Sequence, residues 1–98
     1  MSEPMSQEQI SVCRKYLEIM ELIIDYNTQH PNSWTLPMYD RRRQEIHFEI
    51  LKVYGFNNED ETFRATGYIR KGMTPRELHD ELMACKELLK SKKARGEE

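Results

Sequence analysis

Cysteine is scarce: the chain has two, Cys13 and Cys85, and neither belongs to a Cys-x-x-Cys pair. A disulfide framework and a cysteine-based zinc site are therefore excluded, and both residues fall at apolar helical positions suited to reduced core thiols. The three histidines, His30, His47 and His79, stand far apart, so no pair has the i, i+4 or short-loop spacing of metal ligands. Glycine is equally sparse. Gly55, Gly67, Gly72 and Gly96 never cluster into a phosphate-cradling loop, and no serine sits in a Gly-x-Ser-x-Gly elbow. Glu45 and Glu49 share the polar side of a predicted helix, where a solvated pair is expected rather than an acid and base. These absences predict a protein that is not an enzyme and that uses no cofactor or metal.

Long apolar runs are missing too. No stretch approaches the ~18 residues of a membrane span, and the first residues lack the cationic start and apolar run of a secretory signal. A cytoplasmic protein without a membrane partner is expected. Nor is there an excess of one charge: 15 Lys plus Arg against 17 Asp plus Glu leave −2, with a pI near 5.9. That balance excludes a whole-surface nucleic-acid binder and is too weakly acidic for a DNA mimic, so any charge-driven site is a local patch.

What remains is a chain of 98 residues, 38% hydrophobic and 33% charged, enough for one modest core and a polar surface. A single helical domain over 1–98 is expected, with 1–6 and 92–98 frayed. Ser6 followed by Gln9 reads as a capping box opening a helix that Pro31 stops. Its apolar residues, Val12, Cys13, Tyr16, Ile19, Met20 and Ile23 among them, cover half the cylinder, more than one neighbour requires. Leu22 alone breaks the polar half. A second helix runs from Pro37 to a stop at Gly55, with Phe56 placed to pack back on Leu51. Asn58 and Glu61 suggest a short helix over 59–66, although Phe63, Ala65, Gly67 and Ile69 alternate as a strand would. Thr74, Pro75 and Glu77 open a last helix with the seam Leu78, Leu82, Cys85 and Leu89. The predicted fold is an all-α helical bundle of three main helices and a short fourth element.

Two kinds of surface feature bear on function. The first is apolar: Leu22, Phe48, Met83 and Trp34 fall where solvent is expected. Phe48, rimmed by Arg41, Gln44 and Lys52, has the composition of an interface hot spot, unless the 57–73 segment folds over it. The second is basic. Arg41, Arg42 and Arg43 fan over about 200° of a helix, so they act at most in pairs. Arg43 falls inside the core arc: either its stem packs along the core edge while the guanidinium snorkels out or pairs with an acid such as Glu18 or Glu21, or it forms a groove wall for an anionic group with Tyr39 and His47. His79, Met83, Lys86, Lys90 and Lys93 form a stripe expected to point away from the leucine seam, and Tyr68 lies between Arg64 and Arg70. The leading expectation is a non-enzymatic interaction module, an adaptor or inhibitor, that binds a protein partner through Phe48, Arg41, Gln44, Lys52 and Leu22; a homodimer is compatible with the same features. The alternative is a nucleic-acid-binding regulator using Arg41, Arg42, Lys86, Lys90, Lys93 and Tyr68.

Overall fold

The computed structural model describes residues 4–94, with side chains through 92. Four helices follow in order, α1 Gln7–Gln29, α2 Pro37–Tyr54, α3 Glu59–Ala65 and α4 Pro75–Ala94. The fold is an all-α helical bundle, and no strand forms among the described residues.

Local chemistry sets the helix ends. The Gln9 N–H donates to Ser6 Oγ at 3.1 Å while Gln9 Oε1 accepts from the Ser6 N–H at 2.9 Å, the reciprocal box that fixes the start of α1. α2 starts at Pro37, which gives up no hydrogen bond because the first-turn N–H has no helical acceptor. It ends at Gly55, whose φ of 75° is left-handed, and the N–H groups of Gly55 and Phe56 both donate to the Leu51 carbonyl. Phe56 is thereby drawn into the core. Asn58 Oδ1 accepts from the Glu61 N–H at 3.0 Å and opens α3, and Thr74 with Glu77 forms a second reciprocal box at α4.

α1 packs against both α2 and α4, and α3 bridges α2 and α4. This two-sided packing is what the wide apolar arc of α1 requires: Val12, Cys13, Tyr16, Ile19 and Ile23 are all buried. Ile46, Ile50 and Tyr54 from α2 and Leu78 and Leu82 from α4 complete the core. Both cysteines are free thiols.

The short helix expected over 59–66 forms as α3, with Thr66 as its C-cap, and the strand alternative for Phe63 to Ile69 does not, because no second strand exists among the described residues to pair with it. α4 continues through Ala94; of the segment 92–98 expected to fray, residues 95–98, Arg95 included, lie outside the described residues. At the other end Ser6 caps α1.

Candidate functional site

The interior contains polar groups that sequence periodicity did not reveal as connected. Tyr16 Oη and His47 Nε2 are 2.8 Å apart, joining α1 to α2. Tyr54 Oη lies 2.7 Å from His79 Nδ1 and 3.3 Å from Cys13 Sγ, joining three helices. Both histidines are buried. Burial pushes the Cys13 thiol and the Tyr16 and Tyr54 hydroxyls upward, so all three stay neutral. His47 moves the other way, down to about 4, first because of burial and then because of the Arg43 charge. Its Nδ1 is buried without a hydrogen-bond partner, so a protonated ring would hold an unsatisfied N–H. Cys13, Tyr16, Tyr54 and His47 are neutral struts of the core.

Arg43 pairs with an acid, as one expectation had it, but with neither Glu18 nor Glu21. Its Nη2 lies 2.6 Å from Asp40 Oδ1, one turn earlier on α2, and its guanidinium sits 5.8 Å above the Phe63 ring. The shared groove wall also fails to form. Arg43 lines a groove with Asp40, Phe63 and Thr66, whereas Tyr39 packs edge-on against Tyr26 and His47 lies underneath.

Phe48 behaves differently from its neighbours. It is 52% exposed, while Ile46 and Ile50 two residues away on either side are fully buried. Arg41, Gln44 and Lys52 are exposed on the same helical line. The 57–73 segment does not cover Phe48; it covers His47 instead, placing the Phe63 ring 4.4 Å from the imidazole. Leu22 on α1 is 49% exposed. Between α1 and α2 an ion pair of Lys15 with Glu49 at 3.0 Å clips the helices together, and Lys52 borders a groove there with Val12 and Val53.

The basic stripe of α4 is broken by the fold. His79 is buried and Met83 packs on the core, so the stripe begins inside the protein instead of facing away from the leucine seam. Lys86 is half-buried beside Gly55. Lys90 is exposed, and the Lys93 side chain lies outside the described residues. On α2, Arg41 is exposed and Arg42 pairs with Glu45 at 3.6 Å. Tyr68 is well exposed, but the cations that follow it are engaged, Arg70 by Glu77 and Lys71 by Asp25, each at 2.6 Å. Among the described residues no three His, Cys, Asp or Glu side chains converge on a metal position.

Sequence reasoning overlooked Phe63, Met38 and Leu88, all large and exposed. Leu88 was legible, since it falls one residue before Leu89 in a seam spaced 4, 3 and 4. Comparison with protein-family models, curated proteins and solved structures finds no match. The site thus rests on geometry alone: exposed aromatics on helices whose opposite faces are locked into the core.

Proposed function

We propose that this chain is a non-enzymatic cytoplasmic interaction module, an adaptor or inhibitor, that engages a protein partner through Phe48. Arg41, Gln44 and Lys52 form the polar rim, with Leu22 an added apolar contact on α1. The observation supporting this reading is the half-exposed Phe48 ring between fully buried Ile46 and Ile50. A rigid helix presenting one aromatic within a ring of polar side chains gives a partner a pre-ordered anchor, which lowers the entropy cost of binding. The rim charges Arg41 and Lys52 favour an acidic partner surface.

Phe48→Glu tests the reading. The thermal melt followed by circular dichroism should move by no more than the ~0.5 kcal/mol usual for surface changes, while affinity for the partner falls about 30-fold or more, as for a hot spot. A collapsed melt would make Phe48 a structural residue instead. Nucleic-acid binding draws less support, because Lys86 is half-buried and Arg42, Arg70 and Lys71 already have acidic partners.

A further inference from the structure

A second apolar surface lies on α4, away from the Phe48 line. Stepping 100° per residue puts Glu81, Ala84, Leu88 and Lys92 along one side of the helix, with Cys85 at its edge. The buried Leu78 and Leu82 lie on the adjoining core face. Leu88 is 55% exposed and Ala84 is also exposed. Across a groove of about 530 Å³, α3 and the turn after it contribute Phe63, at 45% exposure, and Tyr68, at 70%. One exposed leucine is ordinary; three large apolar or aromatic side chains bordering one groove are not.

The polar ends of this face carry opposite charges. Glu81 and Lys92 flank the apolar centre, about 16 Å apart along the helix at 1.5 Å per residue. Neither takes part in an ion pair among the described residues, although nearby charges do: Arg76 pairs with Asp80 and Arg70 with Glu77. The order along the face is acid, small, large, base. Such an order complements itself when a second helix is laid antiparallel. Each Glu81 then meets the other copy's Lys92, and each Leu88 meets the other copy's small Ala84, as a two-fold interface demands.

We propose that a second copy of this chain docks antiparallel along the face of α4 from 81 to 92, forming a two-fold dimer. A partner of uniform charge fits less well, because it would set a like charge against either Glu81 or Lys92. The area is sufficient. Phe63, Tyr68 and Leu88 expose on the order of 350 Å² per copy, given ~150–250 Å² for a whole aromatic side chain. With the stems of Arg64, Glu81 and Lys92 added on both copies, the contact comes to about 1,000 Å², the size of a weak, reversible interface. The dimer uses neither Phe48 nor its rim, so Phe48→Glu leaves it intact and the two proposals fail separately.

Sedimentation of the full chain between about 1 and 100 μM, a range suited to a small interface, tests it. Wild type should form a dimer. Glu81→Lys and Lys92→Glu, each setting like charges opposite each other twice, should raise the dissociation constant tenfold or more, about the effect of ~1.4 kcal/mol. The double variant E81K/K92E should regain the wild-type constant, and an equimolar mixture of E81K with K92E should associate where neither does alone. Circular dichroism verifies that each variant is folded. A monomer at every concentration overturns the proposal, and so does a dimer whose constant is the same in all variants or a mixture no tighter than its components.

Discussion

Ile50→Ala is expected to lower the free energy of unfolding by about 2–5 kcal/mol, the range for removing a large aliphatic side chain from a packed core. Ile50 is fully buried on the inner face of α2, beside Ile46 and Tyr54. Truncation removes three methyl or methylene carbons from contact with the core and leaves a void that close-packed neighbours fill only in part. A domain of this size has only about 5–10 kcal/mol to lose. The variant should therefore melt many degrees lower, or be partly unfolded at room temperature. Urea unfolding of both proteins gives the difference directly, and a loss under 1 kcal/mol would mean that α2 does not pack as described. The contrast with Phe48, two residues earlier, is the sharpest internal check on which side of α2 faces the core.

The second large effect is a loss of stability in mild acid. His47 binds its proton at about 4 in the folded protein, against 6.5 for a free imidazole. Between those values the unfolded chain takes up a proton that the folded chain refuses. Stability from this group is thus fully present above pH 6.5, falls as the pH drops toward 4, and falls no further below it. Across the whole window the change is about 3 kcal/mol at 1.36 kcal/mol per pKa unit. Glu77 behaves in a lower window. Hydrogen bonds with Thr74, and then the Arg70 charge, hold its carboxyl below the usual range, so its contribution disappears only as the pH falls through that lowered value. Urea midpoints from pH 8 to pH 4 should slope downward in the wild type and flatten in His47→Gln, which has no proton to gain. An equal slope in both proteins would place the titration elsewhere.

Helix ends were the most legible part of the fold because they depend on contacts within a few residues. Ser6 with Gln9, Pro37, Gly55, Asn58 with Glu61 and Thr74 with Glu77 each act locally, and each marks an observed boundary to within a residue. Faces shared with two neighbours were harder. His79 and Met83 lie beside the leucine seam of α4, but the second wall that encloses them, with Tyr54 Oη reaching His79, comes from elsewhere in the chain. No spacing rule along α4 contains that information. Arg43 pairs with an acid as one reading had it, but with Asp40, the nearer one at i−3 on the same helix, rather than with Glu18 or Glu21 on α1. Phe63 was unreadable for another reason, since the seven residues of α3 are too few for a helical period to separate inside from outside. The exposure of Phe48, Arg41, Gln44 and Lys52 was readable because α2 is long, its inner face is plainly aliphatic, and the line through 41, 44, 48 and 52 lies opposite.

The most direct measurement is site-specific photo-crosslinking in the source cell. A photoreactive amino acid replaces Phe48 in one strain and Glu87, exposed on α4, in another. A discrete heterologous protein adduct from position 48, absent from position 87, is the expected result. No adduct at 48, or the same set of adducts from both positions, would contradict a partner-binding role for the Phe48 face.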